Sequence, residues 1–100
     1  MEVQTSVEGT KAAIVLVGSL TVNTAVDLQE AIGQLPSNIC EMDIDLSGVS
    51  YMASAGIRVL VAALKLMTAR GGTLRLLHPC DDVVEVLDMT GLSNVFTIER

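Results

Sequence analysis

Polar and apolar residues alternate weakly at the start of the chain. Val3, Thr5 and Val7 fall between Glu2, Gln4, Ser6 and Glu8. A period of two predicts a strand with one wet face. Gly9-Thr10 is a turn signal. Ala12 to Val17 is an unbroken apolar run, which predicts a strand covered on both faces. The two strands make a hairpin, and Gly18 to Val22 reads as a loop. The period then changes. Leu28, Ile32 and Leu35 recur at helical spacing. Asn23 or Thr24 can cap that helix, and Asp27 falls in its first turn, where a negative charge suits the dipole. Gly33 weakens its end and Pro36 stops it.

Ile39 to Leu46 is the next strand, with Met42, Ile44 and Leu46 on one face and Asp43 and Asp45 on the other. Ser54 to Arg70 reads as a long helix that Gly71-Gly72 ends. Thr73 to Leu77 is a strand closed by Pro79. Asp81 or Asp82 caps a third helix running to Met89, with Gly91 at C′. Asn94 to Ile98 is a short last strand. The order is β-β-α-β-α-β-α-β. Strands alternating with helices imply right-handed parallel crossovers. The chain is therefore predicted to be one α/β domain over residues 1–100, a mixed, mostly parallel sheet with helices packed on it.

The long helix has two apolar strips. Ile57, Leu60, Val61, Leu64, Met67 and Thr68 form a stripe that should meet the sheet. Val59, Ala62, Ala63 and Leu66 form a second strip pointing away from it. A solvated helix face would carry charge there. Two accounts stand: a neighbouring helix covers the strip, or the strip is a docking face, for a second copy in a homodimer or for another partner.

Composition narrows the chemistry. Half of the residues are hydrophobic and only Tyr51 and Phe96 are aromatic, so the core must be aliphatic. The formal net charge is −6, which repels phosphate backbones and argues against nucleic acid. No apolar run approaches the ~20 residues of a membrane span, and no secretory signal opens the chain. A soluble cytoplasmic protein without a membrane association is expected. Cys40 and Cys80 are far apart and His78 is the only histidine. Nothing there suggests a metal site, a cofactor or a disulfide.

One hydroxyl stands out. Ser54 lies in Ala53-Ser54-Ala55-Gly56, among residues with almost no side chain, where a helix should begin. As an N-cap it would accept a bond from the amide of Gly56 or Ile57. As a nucleophile it would need His78, at the end of the next strand, but no Gly-x-Ser-x-Gly elbow is present. As a phosphate acceptor it would place about −1.5 to −2 charges on free N–H groups at the positive end of a dipole. That would change the surface and leave the fold intact.

These residues also carry a resemblance. Asp45-Leu46-Ser47-Gly48-Val49-Ser50-Tyr51-Met52-Ala53-Ser54-Ala55-Gly56-Ile57 resembles the signature of STAS domains, and within them the bacterial anti-sigma factor antagonists. Gly18 to Ala25 is similar to the family's loop into helix one. Gly71-Gly72-Thr73-Leu74 is similar to its Gly-Gly-x-Leu, and Leu87 to Leu92 to its segment around Asp-Met-Ser-Gly-Leu. The resemblance implies a binding module that is not an enzyme. It would bind an anti-sigma factor with serine kinase activity and so release a sigma factor. Phosphorylation at Ser54 would switch it off, and a phosphatase acting on phosphoserine would reverse this. The partner surface it implies is Thr21, Asn23 and Thr24 of the loop and Ala53, Ala55, Gly56, Arg58 and Val59 at the start of the long helix. The alternative is a non-phosphorylated scaffold, or a subunit of a signalling or lipid-transport assembly. Three positions depart from the family pattern: Ala53 stands where it has Asp, Thr21 where it often has an acid, and Ala55 where it has Ser or Thr.

Overall fold

The computed structural model describes all of residues 1–100. The elements are β1 (Glu2–Glu8), β2 (Lys11–Leu20), α1 (Ala25–Gly33), β3 (Glu41–Met52), α2 (Ser54–Ala69), β4 (Thr73–Leu77), α3 (Asp81–Met89) and β5 (Thr97–Glu99). The predicted order of elements is the one found. The strands lie side by side as β1-β2-β3-β4-β5. β1 and β2 pair antiparallel, and the rest pair parallel.

That order has a consequence for the layers. Each parallel crossover steps the same way across the sheet. Right-handed crossovers that never reverse put every helix on one face. Burial follows. Ala12, Ile14 and Leu16 of β2, Met42, Ile44 and Leu46 of β3 and Leu74 and Leu76 of β4 lie beneath the helices. Val15 and Val17 sit on the bare face, 36% and 45% exposed. The expectation that Ala12–Val17 is covered on both faces is therefore wrong. A continuous apolar run resembles a doubly covered strand, but here its alternate residues cross a half-open sheet. Without a reversal of winding, the sheet also lacks the crevice in which doubly wound folds hold small ligands.

Several boundaries move. β2 continues through Gly18 to Leu20, where a loop was predicted. β3 starts at Glu41 and runs on to Met52, well past Leu46. Its extension is possible because of a bulge: the register slips between Val15 and Val17 opposite it. The amide of Ser47 donates to Asp45 Oδ1 at 2.8 Å. A Cβ on Gly48 would lie 2.9 Å from Leu16 O. The Asp-Leu-Ser-Gly stretch thus builds the bulge. β5 is shorter than predicted and shifted to Thr97–Glu99.

The bare face is held by ions. Asp43 pairs with Arg75 through two bonds, of 2.7 and 2.6 Å, and with Lys11 at 3.3 Å. Arg75 also reaches Glu99. The cross-strand register sets Asp43 opposite Arg75. The Arg75 guanidinium holds the Asp43 carboxyl below its ordinary value, against the opposing effect of burial and with further help from Lys11. A depressed carboxyl stabilises the fold above its unfolded value, near 3.9, and that stability is lost as pH falls through the folded value. Asp43→Asn should therefore flatten the acid limb of a melting-temperature profile between pH 5 and pH 2. At pH 7 it should cost about 1 kcal/mol, or roughly 4–8 °C. An unchanged acid limb would refute this.

Candidate docking site around Ser54

Ser54 is exposed and is the first residue of α2. It does not cap the helix, contrary to the prediction. Ala53 is the cap residue, with extended backbone. Its carbonyl accepts the amides of Gly56 at 3.0 Å and Ile57 at 3.2 Å. The donors a serine cap would have used are thus already taken. The Ser54 hydroxyl has no partner, and neither do the amides of Ser54 and Ala55. A bare alcohol therefore stands beside unused N–H groups, at the positive end of a 16-residue helix.

The neighbouring loop is locked to this helix start. The Thr21 amide donates to Thr24 Oγ1 at 2.7 Å, and the Thr24 hydroxyl donates to Ser19 O at 2.6 Å. Thr24 is the cap residue of α1, but its side chain points back into the loop and makes no capping bond. The Ala53 amide donates to Leu20 O at 2.8 Å. Leu20 is fully buried, and Gly56 packs directly on it. A Cβ at position 56 would lie 2.5 Å from Leu20 Cγ and Cδ2. β3 reaches the same place because Ser19 pairs with Tyr51 and Leu20 with Met52.

The structure brings the predicted surface residues together, with different parts for each. Asn23 and Arg58 are exposed. Thr21, Thr24, Ala53, Ala55 and Val59 are half-buried. Gly56 is buried and cannot touch a partner; its part is to let Leu20 close on the helix. Sequence reasoning passed over Val22, 69% exposed, and Tyr51, 55% exposed. Tyr51 lies two residues before the small-residue run, but Val22 carries no comparable mark in the sequence.

The outer strip of α2 is partly covered by α1. Val59, Ala62, Ala63 and Leu66 line a groove of about 530 Å³ with Gln29, Ile32, Gly33 and Arg58. Ala63 is itself buried, and Thr68, assigned to the sheet side, is exposed. The covering helix therefore shares the strip with open space.

Ser54 and His78 do not form a catalytic pair. Leu77 pairs with Asp45, and the Cys80 thiol donates to Val49 O at 3.4 Å. His78 therefore lies beside β3 below Val49, while Ser54 lies five residues beyond it, on the order of 15 Å away. Both cysteines are free thiols, at the start of β3 and just after β4. No group of three or more His, Cys, Asp or Glu side chains is placed to hold a metal ion. No helix is long and apolar enough to cross a membrane.

A one-sided sheet with a bare serine at the head of its longest helix defines a recognisable class. The family model described as "Mlab, STAS domain" matches residues 3–98, and the chain belongs to the STAS domain family. It is 31% identical over 83 residues to the anti-sigma-B factor antagonist of Bacillus subtilis, covering 83% of this chain and 76% of that protein. Among solved structures, an anti-sigma factor antagonist from Mycobacterium paratuberculosis superposes with a TM-score of 0.85 at 21% identity, over 98% of this chain and 84% of that one. The anti-sigma factor antagonist SpoIIAA in its unphosphorylated form gives 0.77 at 22% identity, over 99% and 89%. At such identities the likeness is one of fold.

Proposed function

We propose that the protein is an anti-sigma factor antagonist. It binds, in the cytoplasm, an anti-sigma factor that is also a serine kinase, and so frees a sigma factor. The kinase ends the association by phosphorylating Ser54, and a phosphoserine phosphatase restores it. The protein itself catalyses nothing in this cycle. The observation that carries the reading is the unpartnered, exposed Ser54 hydroxyl beside two free amides at the head of α2. Phosphate there is stabilised by the dipole and by the amides. It also puts a doubly charged group on a surface that docking must dry out.

The test is incubation with a histidine-kinase-like anti-sigma factor and ATP. One phosphate should be gained by mass, and Ser54→Ala should abolish it. Ser54→Asp should weaken binding of the same partner at least ~10-fold, because carrying an added charge into an interface that must be dried costs more than 1.4 kcal/mol. Its melting temperature should stay within a few degrees of wild type. If Ser54→Asp binds as tightly as wild type, phosphate at this site is not the switch. Ala53, uncharged beside the acceptor, favours a second reading, an unmodified STAS scaffold. Tight binding of that partner with no phosphate gained would establish it.

A further inference from the structure

The exposed spine of α2 runs through Ser54, Arg58, Ala62, Lys65 and Ala69. Not one carboxylate occurs in this helix, although the chain has 12 acidic residues against six basic ones. Of the basic side chains, Lys11 and Arg75 pair with Asp43, Arg100 pairs with Asp81, and Arg70 donates to Ile39 O. Arg58 and Lys65 have no partner. The spine of α2 therefore offers two unpaired cations on a domain that is otherwise acidic.

Arg58 stands one helical turn after Ser54, at i+4, about 6 Å further along the axis and on the same face. An acid placed four residues before a base is the favourable orientation for such a pair. Lys65 is eleven residues on from Ser54, roughly 16 Å up the axis, and out of reach. The other charged groups at this end of the sheet are the Met1 ammonium, beside Gly18, and the Asp81 and Asp82 carboxylates at the head of α3, of which Asp81 is paired with Arg100. The loop from Ser19 to Thr24 contains no charge, and the end of β3 contributes only the Tyr51 phenol. The carboxylates of α1, Asp27 and Glu30, line a separate cleft under β1.

We propose that Arg58 is the residue through which phosphorylation is read. In the unmodified protein it stands free at the mouth of the α1–α2 groove, a cation offered to an acidic partner surface. Phosphorylated at Ser54, the same helix turns that cation inward onto its own phosphate. Docking then loses a counter-ion and meets an anion in one step. The inference rests on Ser54 being the phosphorylated residue, and it adds the residue that answers the modification.

The experiment installs phosphoserine at position 54 during translation, so that no kinase is needed. The second ionisation of the phosphate, ordinarily near 6, is followed by phosphorus NMR in three backgrounds: wild type, Arg58→Gln and Arg58→Lys. Arg58→Gln should raise the midpoint by about half a pH unit, a threefold change in the proton dissociation constant, and Arg58→Lys should recover part of the difference. Equal midpoints in wild type and Arg58→Gln would overturn the pairing. In a second arm, unmodified Arg58→Gln is titrated with the anti-sigma factor used above. Affinity should fall at least fivefold, more at low salt than at high. Unchanged affinity would overturn the role of Arg58 toward the partner. A kinase that ignores Ser54 would count against the proposed function, while the NMR result would stand unaffected.

Discussion

Gly72→Ala should lower the stability of the domain by about 4 kcal/mol or more, enough to unfold much of a protein of ordinary marginal stability. A Cβ at this position would lie 1.7 Å from Cys40 O, 2.6 Å from Cys40 C and 2.9 Å from Cys40 Cα. These are backbone atoms, so no rotamer change relieves the clash. Nor can the segment drift aside. The Gly72 amide donates to Met67 O at 2.8 Å, and the Thr73 amide to Cys40 O at 2.8 Å. The first bond closes α2 and the second starts the pairing of β3 with β4. Moving Gly72 breaks one or both. Its neighbour supplies the control. Gly71 has φ +71° and open space around its Cβ position, so Gly71→Ala meets only the left-handed backbone cost, roughly 1 kcal/mol. Urea unfolding of both variants gives the comparison. If Gly72→Ala unfolds within 1 kcal/mol of wild type, the close approach to Cys40 is wrong.

The same pair shows what the sequence could and could not reveal. Gly71-Gly72 marks the end of a helix whatever surrounds it, because local backbone rules act within a turn. The requirement at Gly72 comes from Cys40, a residue 32 positions away, and has no local sign. The same division runs through the chain. α1, α2, β4 and α3 were legible from spacing and punctuation. The tail of β3 was not, because Ser47-Gly48 reads as a turn. It is in fact a bulge, which only the β2 partner reveals. The apolar run from Ala12 to Val17 announced a strand but not its bare side, which follows from a strand order that local pattern does not encode. At the site, Ser54 was conspicuous because its neighbours are small. Its failure to cap was hidden, since the choice between Ala53 and Ser54 as cap residue turns on one backbone angle. Val22 and Tyr51 drew no notice in the sequence, because residue type alone does not tell an exposed apolar side chain from a buried one; their placement does.

Leu20→Ala and Gly56→Ala should each destabilise the junction between the loop and α2, yet cost less together than their sum. Leu20 is fully buried, so removing its side chain leaves a cavity worth about 2–5 kcal/mol. Adding a methyl at Gly56 drives a Cβ to 2.5 Å from Leu20 Cγ and Cδ2, an overpacking worth roughly 1–3 kcal/mol. In the double variant the new methyl enters the space the leucine vacated. A favourable coupling of at least ~1 kcal/mol should appear in a double-mutant cycle by denaturant unfolding. The effect should also be local. The Ala53 amide bonded to Leu20 O at 2.8 Å is the strut that holds the loop against the head of α2. Its hydrogen exchange should quicken in each single variant and slow again in the double. Binding of the anti-sigma factor should follow the exchange rate of that amide rather than global stability, because the strut ties the loop to the head of α2. Additive costs, or binding that tracks melting temperature alone, would mean that Gly56 serves the core and not the geometry of the docking surface.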